Sequence, residues 1–80
     1  MIDWSAQLRG VQARLDRLGI SVHTINQYLD RPVRPQTWAK WQAEPYKASI
    51  RRVRQVELGI DVHEAMTRLR EWERNGPSAA

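Results

Sequence analysis

The sequence predicts an all-α fold. Apolar residues recur at intervals of three and four, no stretch alternates apolar and polar side chains as a half-buried strand does, and glycines, prolines and capping residues cut the chain at helix-length intervals.

The first helix is expected over about 5–18. Leu8, Val11, Leu15 and Leu18 form one stripe on its face. Asp3 or Ser5 is placed to cap its start. Gly19 follows the last stripe residue, where a left-handed C-cap suits glycine. Gly10 lies inside the helix and weakens it slightly.

Ser21 then reads as an N-cap, and Val22, Ile25 and Leu29, with Tyr28, give a short second stripe over about 22–29. Asp30-Arg31-Pro32-Val33-Arg34 breaks it, because a residue before proline avoids the helical region. Pro35 suits the first turn of a third helix, about 35–43, with Trp38 and Trp41 on one side, and Pro45 ends it.

Ser49 is placed to cap a fourth helix, about 50–58, with Ile50, Val53, Val56 and Leu58 facing inward. Asp61 and Glu64 have the spacing of a capping box for a fifth helix, about 62–74, carrying Val62, Met66, Leu69 and Trp72. Asn75-Gly76-Pro77 stops it, and 77–80 is expected to be a flexible tail. Leu18-Gly19-Ile20-Ser21-Val22-His23 recurs as Leu58-Gly59-Ile60-Asp61-Val62-His63, and both read as a helix end, a glycine cap and a new helix.

Composition narrows the functions open to the chain. Its 80 residues make one small domain, expected over 1–76, with one core and little room for a deep substrate pocket. Without cysteine there is neither a disulfide nor a thiolate zinc site. No His-x-x-x-His pair, glycine-rich phosphate loop or Ser/His/Asp set is visible. The two histidines read as surface residues. No enzyme activity, metal, cofactor or small-molecule substrate is expected. No apolar run approaches a membrane span, and Met1-Ile2-Asp3-Trp4 lacks the layout of a signal peptide, so a cytoplasmic protein is expected.

The net charge is only +4. Residues 31–54 carry Arg31, Arg34, Lys40, Lys47, Arg51, Arg52 and Arg54 against Glu44 alone, a local charge of +6 that leaves −2 elsewhere. Such a block is either a solvated basic face or the footprint of a polyanion. Arg51, Arg52 and Arg54 also open a helix, where the macrodipole disfavours positive charge by about 0.3–1 kcal/mol each. That local cost favours a functional reason for them.

The second and third helices have the order of a helix-turn-helix over about 21–43. The major groove of DNA admits one helix, and a second behind it fixes the angle of entry. In the third helix Trp38 and Trp41 face the core, while Gln36, Thr37 and Lys40 point elsewhere. Glutamine suits adenine, lysine suits guanine, and threonine suits thymine or phosphate.

Residues 14–58 resemble the Cro/Xre-type helix-turn-helix domain, a five-helix, lambda-repressor-like fold. The resemblance is carried by Leu18-Gly19-Ile20-Ser21, by Leu29, by Thr37-Trp38-Ala39-Lys40-Trp41 where the family has Thr-Ile-Ser-Arg-Trp, by Lys47-Ala48-Ser49-Ile50, and by Val53, Val56 and Leu58-Gly59-Ile60. Three positions depart from the pattern. The segment from Leu29 to Trp41 is two residues longer than usual, Asn26 stands where the family buries a small residue, and Val22 replaces a phosphate-touching glutamine. The long turn either reaches the phosphate backbone through Arg31 and Arg34 or marks a unit that has lost DNA binding.

Carried over position by position, the resemblance implies Gln36, Thr37 and Lys40 at base edges, with Arg34 beside them. Lys47, Ser49 and Arg51 would lie at phosphates, and the charge pattern adds Arg31, Arg34 and Arg52 to that set. The expected function is a sequence-specific transcriptional regulator, a homodimeric repressor on a palindromic operator in double-stranded DNA, similar to small phage or mobile-element regulators. The alternative is a helical protein-interaction module, such as an antitoxin or a phage-encoded inhibitor, docking its basic middle on an acidic protein surface. Trp4 and Trp72, near the two ends, either close the core or sit at a dimer interface. The apolar side of the fifth helix either completes the core or pairs with a second subunit.

Overall fold

A computed structural model describes residues 4–76. They are helical, with no strand among them: α1 (Ser5–Leu18), α2 (Val22–Ile25), a 3₁₀ turn (Asn26–Tyr28), α3 (Pro35–Ala43), a second 3₁₀ turn (Pro45–Lys47) and α4 (Ile50–Asn75). The all-α expectation holds. The Asp3 cap and the 77–80 tail lie outside the described residues.

The first junction forms as its sequence dictates. Gly19 adopts φ 67°, its amide donates to the Asp16 carbonyl, and the Ile20 amide donates to that of Leu15. These paired bonds satisfy the last carbonyls of α1 and turn the chain back. Ser21 occupies the N-cap position of α2 in extended conformation, but its side chain makes no cap bond. Ser49 does cap α4, its Oγ accepting from the Arg52 amide at 3.4 Å.

Two expected boundaries are wrong. The second helix does not run to residue 29: its α-helical part ends at Ile25, tightens through Asn26–Tyr28, and becomes extended at Leu29. The cause is the Asn26 side chain, whose Oδ1 accepts from the Val33 amide and whose Nδ2 donates to the Val33 carbonyl, both at 2.9 Å. Asparagine here holds the turn rather than continuing the helix.

The fourth and fifth helices are a single helix of 26 residues. Among the described residues four α-helices therefore stand where five were expected. Gly59 is no C-cap, Asp61 and Glu64 form no capping box, and Leu58 points outward instead of into the core. The two carboxylates bind α1 instead. Arg14 Nη2 meets Asp61 Oδ1 at 2.7 Å and Glu64 Oε1 at 3.3 Å. The hydrogen bond to Asp61 raises the Arg14 pKa above its ordinary value, and partial burial opposes that rise. Gly59 faces Ile25 and Leu29, so the missing side chain lets α4 lie close against α2 and its 3₁₀ turn.

Leu8, Val11, Leu15, Val22, Ile25, Val33, Trp38, Trp41, Val53, Val56 and Ile60 make the core. Trp4, Ile20, Leu29, Ala48 and Ile50 pack against it from the rim. No described residue beyond Ile60 is fully buried, and residues 68–75 are all exposed, so the last two turns of α4 project from the body. The Cα radius of gyration is 14.8 Å and the extents are 53 × 22 × 19 Å. A compact chain of this length would have a radius near about 12 Å. The projecting helix accounts for the excess.

Candidate nucleic-acid interface

The outer face of α3 is set by its inner one. Trp38 and Trp41, three residues apart, are both buried, with ring centroids 6.2 Å apart in an edge-to-face arrangement. Trp38 Nε1 donates to Gln12 Oε1 of α1 at 2.8 Å, so the indole is both packed and hydrogen-bonded. This fixes the rotation of α3 about its axis. Gln36 and Lys40 emerge exposed and Thr37 half-buried. Gln36 and Lys40 therefore share the side of α3 away from the tryptophans, and Thr37 lies on the flank toward the preceding turn.

Arg31, Arg34, Thr37 and Arg52 line one open groove together with Asp30 and Pro32. Val33 is buried beneath that turn, and Asn26 grips its backbone on both sides. The extra length of the turn is thus an anchored arch that holds Arg31 and Arg34 outward beside the start of α3.

Asn26→Ala tests the anchor. It leaves the Val33 amide and carbonyl without partners in a buried position, a loss of about 1–3 kcal/mol. Hydrogen exchange should speed up at the Val33 amide more than at the α1 amides. Equal exchange at both would show that Asn26 does not hold the turn.

The expected phosphate contacts fall into two kinds. Arg31, Arg34 and Arg51 are exposed, and none forms an ion pair or a side-chain hydrogen bond among the described residues, which also holds for Lys40 and Arg54. The other three have internal work. Arg52 Nη2 donates to the Pro32 carbonyl at 2.9 Å, and the guanidinium lies 5.6 Å from the Trp41 ring centroid. It ties α4 to the arch and leaves its Nε buried without a partner. Ser49 Oγ is the α4 cap. Lys47 Nζ pairs with Glu44 Oε1 at 3.2 Å and lies over the Tyr46 ring. Tyr46 also donates to that carboxylate, and this bond, followed by the one from Lys47, holds the Glu44 pKa below its ordinary value.

Sequence reasoning missed the roles of Asn26, Arg52 and Arg14. Each acts across a gap in sequence, and only the helix interval of Asp61 and Glu64 carried any local signal. Among the described residues no group of three or more His, Asp or Glu side chains is placed to hold a metal ion. None of the described helices is long and apolar enough to cross a membrane. The chain matches no protein-family model, and comparisons with curated proteins and with solved structures return no match.

Proposed function

We propose that this protein is a sequence-specific DNA-binding regulator of the Cro/Xre, lambda-repressor-like type, acting as a dimeric repressor on a palindromic operator. Its helix-turn-helix is α2, the arch and α3, and the family's two last helices are fused in α4. The observation that carries the reading is the two-sidedness of α3. Buried Trp38 and Trp41 lock the helix from within, Gln36 and Lys40 face out, and Thr37 borders the groove that Arg31 and Arg34 line.

An exposed guanidinium with no internal partner loses least on meeting a phosphate, so Arg31, Arg34 and Arg51 are the principal anchors. Arg52, Ser49 and Lys47 act chiefly by shaping the surface. In a major groove, Lys40 donates to guanine O6 or N7 and Gln36 pairs with an adenine edge. Repression follows from occupying a promoter.

The test begins with selection of bound sequences from a random pool, followed by footprinting. Two symmetric half-sites about one helical turn apart are expected. Selection of no sequence, or binding that persists unchanged from low to high salt, would overturn the proposal.

Lys40→Ala should cost about 1–3 kcal/mol on the selected site and relax preference at one base position. Equal losses on selected and random DNA would remove Lys40 from base reading. Arg51→Ala should weaken binding to all sequences alike and reduce the slope of log K against log salt by about one. An unchanged slope would place Arg51 off the backbone.

A further inference from the structure

The 26-residue α4 carries two apolar faces on opposite sides. Val53, Val56 and Ile60 face the core. Leu58, Val62, Ala65, Leu69 and Trp72, set by helical periodicity on the other side, face solvent. Leu58 is 62% exposed, Val62 45%, Leu69 46% and Trp72 56%. With Met66 at its margin the stripe amounts to roughly 400–500 Å² of apolar surface, the size of patch that often marks an interaction site. Leu58 and Val62 border open grooves shared with Trp4, Tyr28 and Leu29, and from Ala65 onward the stripe lies on the part of α4 that leaves the body.

We infer that a second copy of this chain covers the stripe, and that the two α4 helices pair in parallel and in register as a short coiled coil. The spacing sets the seam: Val62 and Leu69 occupy a positions, and Leu58, Ala65 and Trp72 occupy d positions. The flanking charges choose the direction. Arg68 and Glu73 stand at g and e, the pair that meets across a parallel dimer, so Arg68 of each copy faces the partner's Glu73.

Antiparallel pairing with Ala65 against the partner's Leu69 instead brings the two Arg68 side chains together, and antiparallel pairing with Val62 against the partner's Ala65 sets Arg68 against an Asp61 that already serves Arg14. Within one chain Arg68 has only a 4.0 Å contact with Glu64, whose other oxygen already serves Arg14, so it is available. Two stripes with their flanking stems bury on the order of 1,000 Å² in total, the lower bound for a specific interface. A parallel pair has its two-fold axis along α4, so both α3 helices lie toward the same end. The dimer is the one that two half-sites require, and in that respect it rests on the proposed function.

Sedimentation equilibrium without DNA tests the interface separately from DNA binding. The expected mass rises with concentration from 9.4 kDa to twice that value. Leu69→Glu, at an exposed position, should keep the helical circular dichroism and raise the dimer dissociation constant at least about 100-fold. Arg68→Glu should weaken the dimer, and adding Glu73→Arg should restore it.

Because the chain has no cysteine, Ala65→Cys introduces a single thiol, which in a parallel, in-register seam lies beside its own copy and forms a disulfide on mild oxidation. A mass of 9.4 kDa at every concentration would assign the stripe to a different protein and overturn the inference. So would a dimer indifferent to Leu69→Glu. Cross-linking only between Ala65→Cys and Leu69→Cys chains would show antiparallel pairing and overturn it equally.

Discussion

Trp41→Ala is expected to remove about 3–5 kcal/mol of stability, the range for truncating a buried aromatic side chain. A chain of this length has only a few to about ten kcal/mol in total, so a large part of the population should be unfolded at about 37 °C. Three losses combine at this position. The indole leaves the core, Trp38 loses its edge-to-face neighbour, and the Arg52 guanidinium loses the ring it lies over. The last loss also frees the strut between α4 and the arch at Pro32.

Urea denaturation followed by circular dichroism measures the cost. Trp38→Phe is the matching control. It keeps an aromatic ring in the core but cannot donate to Gln12, so its hydrogen-bond loss should be about 1 kcal/mol. A Trp41→Ala variant as stable as that control would mean that α3 is not held by its tryptophan side. The proposed DNA-reading surface would then lose its physical basis.

Gly59→Ala should destabilise, although a glycine inside a helix ordinarily gains about 1 kcal/mol on becoming alanine. A Cβ there would stand 2.5 Å from Ile25 Cγ2 and 3.2 Å from Leu29 Cδ2. Ile25 is fully buried and β-branched, so its methyl group has little room to turn away. The overpacking cost of about 1–3 kcal/mol outweighs the helical gain of about 1 kcal/mol, for a net loss of up to about 2 kcal/mol.

The other glycines calibrate the result. Gly10 has nothing within 4 Å of its would-be Cβ, so Gly10→Ala should stabilise by about 0.5–1 kcal/mol. Gly19 has equal space but sits at φ 67°, so Gly19→Ala should cost about 1–2 kcal/mol through backbone conformation alone. For a domain of this size each kcal/mol moves the melting temperature by about 4–8 °C. A Gly59→Ala protein that melts higher than the unaltered chain would contradict the close packing of α4 on Ile25.

The same glycines show how far local sequence reasoning reaches. Leu18-Gly19-Ile20 and Leu58-Gly59-Ile60 are alike in sequence and opposite in structure. The first glycine ends a helix through paired backbone bonds, and the second is buried within one. A glycine after an apolar stripe is compatible with either outcome. Arg14 decides the second case by pairing with both Asp61 and Glu64, which occupies the side chains that would have capped a new helix. In the turn before α3, prolines and charges marked only a break, and the bonds from Asn26 to Val33 explain why it is ordered.

Local sequence sufficed for the all-α class, the extents of α1 and α3, the left-handed cap at Gly19, and the division of α3 into a tryptophan side and a polar side. These follow from periodicity, proline and glycine punctuation and side-chain polarity, which act within a few residues. Long-range packing was needed to make α4 run unbroken, to leave Leu58, Val62, Leu69 and Trp72 outside the core, and to fasten the arch through Arg52 and Asn26. Those outcomes depend on which surfaces meet across 7 to 50 residues of chain. A periodic stripe records that a helix has an apolar face, but not what will cover it.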